Sequence, residues 1–244
     1  MLFIAPCAQA VRVVKSRLAA AFPHIPSSHL TEALAAATGF NTNAALRASL
    51  WEPGADPAAK RSLEFDDSKF LKRLLSLGHD DHWDWPGFSR FAETEWVGGL
   101  YNSPRSRCAR NLMTAAVASG LLQKIFGLGA DENFWPGSEE RHGHFFHVWM
   151  PAGIPAVAWV NDVGMGELVI HVACWPKGDV IRYHGGFEAG EATAVGWLER
   201  ADGKWIMNDY RGGIDLSVRR ALHTRLSQAI TPTLGFLDQG MFFS

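Results

Sequence analysis

The sequence predicts an α+β fold, and three observations carry that expectation. The first 50 residues repeat apolar side chains at helical spacing. From residue 144 onward the period becomes that of strands, with short β-branched or aromatic runs separated by Gly, Pro or Asp. One of these runs, Glu167 to Trp175, is apolar on both faces and so belongs in the middle of a sheet with a helix over one side. The expected architecture is an N-terminal helical module, then a mainly antiparallel sheet of five or six strands packed against helices.

Residues 8–22 carry Val11, Val14, Leu18 and Phe22 on one stripe, and Pro23 and Pro26 stop that helix. Ser27 or Ser28 offers an N-cap for a second helix with Leu30, Ala33, Leu34 and Ala37 on one face. Gly39 suits the left-handed C′ position, which lets Phe40 fold back onto the helix. Asn43 caps a short third helix bearing Leu46 and Leu50. The expected module therefore spans 1–51, and the Pro-, Gly- and Ala-rich stretch 52–60 reads as a linker to an α+β domain over 61–244.

That domain opens with a helix capped by Asp67 or Ser68, with Phe70, Leu71, Leu74 and Leu75 inward and Gly78 closing it. The polar and aromatic run 79–88 reads as an ordered loop. Ser103-Pro104 starts the strongest helix, 104–127, because Ser favours the N-cap and Pro the first helical position. Its stripe runs Cys108, Leu112, Ala115, Ser119, Leu122 and Phe126. Strands are expected at 144–150, 156–163, 167–175, 180–184, 193–201 and 204–209, the last two joined by Asp202-Gly203, a favoured hairpin turn. Ser217 is expected to cap a last helix, 217–230, that packs on the sheet.

Composition narrows the function classes. With 23 basic against 25 acidic residues the net charge is −2, which excludes the broad basic field of a bulk nucleic-acid binder. No apolar run is long enough to span a bilayer, and the first 22 residues lack the order of a secretion signal. Three scattered cysteines (Cys7, Cys108, Cys174) without a CxxC pair imply a reducing, cytoplasmic setting and buried thiols. No nucleophile elbow, Walker loop or dinucleotide fingerprint is present, and no cofactor is expected.

Two histidine clusters offer metal chemistry. His142, His144 and His147 follow the spacing H-x-H-x-x-H, which resembles the HxHxDH motif of metallo-β-lactamase-type hydrolases. The likeness implies a metal-dependent hydrolase centred on these three residues. Phe146 stands where that motif has Asp, and strand alternation would send His147 to the opposite face from His144. His79-Asp80-Asp81-His82 is a second polar knot, similar to the HD dipeptide of a phosphohydrolase class that uses an all-helical scaffold. The plainer reading of both is hydrogen-bonded turns.

Arg105, Arg107 and Arg110 fall in the first two turns of helix 104–127, where the dipole disfavours cations. They call for a negative counterpart, either upstream carboxylates or an acidic partner. Tryptophan is abundant, with 10 Trp and 15 Phe against 3 Tyr, and Trp83, Trp85 and Trp135 stand beside Pro or Gly in loops. Trp and Arg dominate interface hot spots, so these six residues are the expected partner-binding set.

Residues 27–50 carry a Ser, an Ala/Leu-rich helix, Gly39-Phe40 and a second short helix ending in Ala-Leu. This pattern is similar to a helical module that begins many uncharacterised proteins of bacterial plasmids and integrative elements. The resemblance implies an origin on mobile DNA, where accessory proteins act by binding host or rival complexes. The expected function is therefore a non-enzymatic protein-binding accessory protein, such as an anti-CRISPR-like inhibitor of a host defence complex. Its partner would be a host protein or protein complex, not a membrane or nucleic acid. The metal-dependent hydrolase is the alternative.

Overall fold

The computed structural model describes residues 2–80, 84–88, 103–129, 143–164, 166–176, 190–201, 203–207, 214–228 and 235–237. The fold is α+β, as the sequence predicts. The N-terminal part begins with β1 (Phe3–Ile4), α1 (Ala8–Ala21), α2 (Ser27–Ala37) and α3 (Asn43–Ser49). It continues through β2 (Leu63–Glu64) and α4 (Asp67–Ser76).

The expected N-caps move by one residue in each of the next helices. Pro26 occupies that position before α2 without a side-chain bond. Thr42 caps α3 by accepting from Ala45 N, and Asp66 caps α4 by accepting from Lys69 N at 3.1 Å. Val14 and Leu18 of α1, Leu30, Ala33 and Leu34 of α2, Leu46 of α3, and Phe70 and Leu74 of α4 form one helical core. That core draws on residues beyond 51, because α4 packs on α2 and brings Phe65, Phe88 and the edge of Trp85 with it. Leu75, expected inward, is 48% exposed, since the α4 stripe is centred on Phe70 and Leu74.

The second core lies between a sheet and two helices. Ser103 accepts from Ser106 N at 3.0 Å and Pro104 fills the first position of α5 (Pro104–Leu122). The helix ends earlier than expected, because the chain turns at Lys124, with φ +57°, and lays Phe126 over Gly120. The strands are β3 (His144–His147), β4 (Ala156–Gly164), β5 (Glu167–Cys174), β6 (Ala192–Ala201), β7 (Lys204–Met207), β8 (Ile214–Val218) and β9 (Phe236–Leu237). Their order is β3-β4-β5-β6-β7-β9, with β8 beside the first half of β6, and all pairs are antiparallel except β7 with β9. β5 is central, as its doubly apolar pattern requires, and Ala201 of β6 pairs with Lys204 of β7; Asp202 of the expected hairpin turn lies outside the described residues.

The inner face presents small residues, Ala156 and Ala158 on β4 and Ala192 and Ala194 on β6, opposite Ala109, Ala115 and Ala116 of α5. That pairing of small side chains seats the helix, buried from Cys108 to Gly120, close to the sheet. The last helix, α6 (Arg220–Gln228), packs on α5 through Leu222 and Leu226, and Asn111 Nδ2 donates to Leu226 O at 2.7 Å. It starts later than expected. Ser217 belongs to β8, where it faces Thr193, because Ile214 and Leu216 alternate as a half-buried strand does. The expected strand at 180–184 lies outside the described residues.

β1 joins the two cores. Leu2 and Ile4 enter the helical core, while Phe3 between them enters the sheet core. Strand alternation thus lets a few N-terminal residues serve both sides.

Candidate partner-binding surface

The described members of the expected partner set lie in two different cores. Trp83 and Trp135 lie outside the described residues. Trp85 is half-buried in the helical core, stacked on Phe70 with centroids 4.6 Å apart and tilted against Phe22 at 5.8 Å. Its Nε1 donates to Asp67 Oδ1 at 2.9 Å, and the same oxygen accepts from Phe88 N. Trp85 therefore fastens the 84–88 segment to the start of α4. The arginines belong to the other core. Arg105 donates to Leu216 O and so ties the start of α5 to β8. Arg107 is half-buried, and Arg110 is 0% exposed, with Nη1 donating to Asn111 Oδ1 at 3.2 Å. A side chain inside the core cannot meet an external partner, so Arg110 leaves the set for that physical reason.

The histidine clusters take structural positions. His142 lies outside the described residues, and β3 places His144 opposite Val160 and His147 opposite Val157. His144 shares its face with buried Phe146, whereas His147 points to the other side of the sheet. Among the described residues no three His, Cys, Asp or Glu side chains gather as metal ligands. Burial pushes the His147 imidazole below its ordinary value, with Asp56 opposing the shift. His171, edge-on to Trp159 at 5.4 Å, is pushed down to about 4 by burial. His79, the first residue of the HDDH run, hydrogen-bonds His29 between ring nitrogens 2.9 Å apart and so links the end of α4 to the start of α2.

The thiols are held in their neutral form. Burial raises Cys7, whose Sγ caps α1 by accepting from Ala10 N, and raises Cys108 to about 12. Cys174 is raised by burial and further by Cys108. Neutral, enclosed thiols are poor nucleophiles.

A different surface brings aromatic and cationic groups together. α2 ends with Gly39 at φ +88°, a conformation that favours glycine, and Phe40 N returns to Ala35 O at 2.8 Å. This turn leaves Phe40 half-buried against the helical core with one side toward solvent. On one flank is an open groove of about 440 Å³ lined by Phe40, Asn41, Lys69, Lys72, Arg73 and Ser76. Arg73 Nη2 donates to Asn41 O at 2.7 Å, which anchors the loop after α2 to α4. On the other flank is a groove of about 570 Å³ lined by Phe40, Pro6, Thr38, Lys60, Arg61, Glu64 and Gly153, among others.

Five cations thus line the two grooves that share Phe40, against Glu64 in the second and an Asp66 carboxylate paired with Lys69 at 3.6 Å. Among the described residues Arg61 and Lys72 have no ion pair, and both are exposed. Gly39 marks Phe40 as the residue that folds back onto α2, but nothing local shows that one side of its ring faces two grooves. Lys72-Arg73 and Lys60-Arg61 carry no local sequence signal; the packing of α4 on α2 sets the first pair beside the groove at Phe40, and the pairing of β2 with β1 holds the segment that carries the second.

No protein-family model, curated protein or solved structure matches the chain.

Proposed function

We propose that this protein is a non-catalytic binding protein that recognises an acidic partner protein through the surface around Phe40. The observation that carries this reading is that Lys60, Arg61, Lys69, Lys72 and Arg73 line two adjoining grooves that share the half-buried Phe40, on a chain whose net charge is −2. A local excess of one sign on a nearly neutral molecule steers a partner of the opposite sign. The aromatic ring supplies the contact area that a purely electrostatic patch lacks.

The Gly39-Phe40 pair is part of the pattern shared with proteins of plasmids and integrative elements. That resemblance supports a host protein complex, such as a defence complex, as the class of partner. The described members of the metallo-hydrolase motif, on opposite faces of β3, lend no support to the alternative.

Capture from a bacterial lysate tests the reading, using wild type and a Lys60→Glu/Lys72→Glu variant of equal melting temperature. The expected result is one specific protein retained by wild type, released by added salt and lost from the variant. Equal retention of that protein by both would overturn the proposal.

A further inference from the structure

We infer that the occupant of this surface is an extended acidic peptide segment of the partner, laid over Phe40 from one groove into the other. The inference rests on the proposed function and specifies its ligand. Phe40 lines both grooves, so a chain laid across its ring runs from one into the other along a single track. The first groove runs along the exposed flank of α4, with Lys69 and Lys72. The second runs along the extended segment that carries Lys60 and Arg61. Two open concavities on either side of a ring do not match a single convex folded face. An extended chain matches them, because its successive side chains point to opposite sides and can enter the grooves on either side of an apolar contact at the ring.

Charge selects the chemistry of that chain. Lys60, Arg61 and Lys72 favour carboxylates along the track. Glu64 lines the second groove and Asp66 holds Lys69, so acidic groups interrupt the cationic walls. A nucleic-acid backbone carries a phosphate at every step and would be forced against those carboxylates. A peptide can set a neutral residue there and keep its Asp and Glu side chains for the cations. The occupant is therefore an Asp/Glu-rich segment with an apolar residue near its centre.

The test uses the full chain and a short fluorescein-labelled Asp/Glu-rich peptide with one central Leu, read by fluorescence anisotropy, with labelled oligothymidylate as the comparison. The expected result is saturable peptide binding that weakens with salt and is tighter than binding of the oligothymidylate. Arg61→Glu and Lys72→Glu, both at exposed positions, should each weaken it about tenfold. Phe40→Ala should weaken it further, and Phe40→Leu covers the case in which the alanine variant fails to fold. Absence of saturable peptide binding, an affinity unchanged in both charge variants, or tighter binding of the oligothymidylate overturns the inference. If the peptide fails while lysate capture still depends on Lys60 and Lys72, the acidic partner stands and presents a folded face. If both fail, the proposed function falls as well.

Discussion

Trp51 and Trp149 meet edge to face, with ring centroids 5.3 Å apart and planes inclined at 63°. Each indole also donates to the segment between the two cores, Trp51 Nε1 to Ala55 O and Trp149 Nε1 to Pro57 O, both at 2.9 Å. Together with Cys7 they form a small third cluster between the helical core and the sheet core. Residues 52–60, which the composition marks as a linker, are thus tied down near their middle by two tryptophans although most of their side chains are exposed.

Trp149→Phe should therefore loosen that segment before it affects either core. The substitution keeps a ring but removes the bond to Pro57 O, a loss of about 1 kcal/mol. The expected outcome is faster proteolytic cleavage within 52–60 than in wild type, with a small fall in the denaturant midpoint. Cleavage appearing first within β4 or β5 would contradict this account of the junction.

Gly120→Ala should destabilise the fold even though alanine is the better helix former. A Cβ at this position would overlap the Phe126 ring, which packs onto the helix where the chain turns back. Overpacking of this kind costs about 1–3 kcal/mol, against about 1 kcal/mol gained from helix propensity. Urea unfolding should show a net loss, and Phe126→Leu in the same chain should recover part of it. A net gain in the single variant would mean that the ring yields freely.

His171 makes stability depend on acidity in a definite direction. Burial lowers its folded-state pKa from 6.5 to about 4. Between those values the unfolded chain binds a proton that the folded chain refuses, so stability is lost as pH falls from 6.5 toward 4 and is fully present above 6.5. The loss is on the order of 2 kcal/mol after allowing for partial screening by solvent. His171→Gln should flatten that slope, as measured by melting temperature across the same range. An identical slope in the variant would assign the effect to other groups.

The three cysteines should resist modification in the native state. Cys108 is pushed to about 12 and Cys174 and Cys7 are also raised, each chiefly by burial. A disulfide reagent at mildly alkaline pH should label none of them within the lifetime of the folded protein and all three in denaturant. Rapid labelling of one thiol without unfolding would expose an opening motion at that cysteine.

Elements whose signals are local are legible in the sequence. Ser103-Pro104 marks the start of α5, Gly39 ends α2, and the doubly apolar run 167–175 is the central strand. Each depends on backbone conformation or side-chain period within a few residues, which a sequence states directly. Tertiary structure alone decided where long-range charge and aromatic groups meet. Arg110 reads as an exposed helix-start cation until the sheet and α6 enclose it, and Ser217 reads as a cap until β8 pairs with β6. Lys60-Arg61 and Lys72-Arg73 are separated along the chain and look like unrelated solvated pairs. They line adjoining grooves because α4 packs on α2, β2 pairs with β1, and the chain after Gly39 sets Phe40 in both grooves. Burial and proximity are properties of the packed chain, and no local pattern encodes which distant residues will share a face.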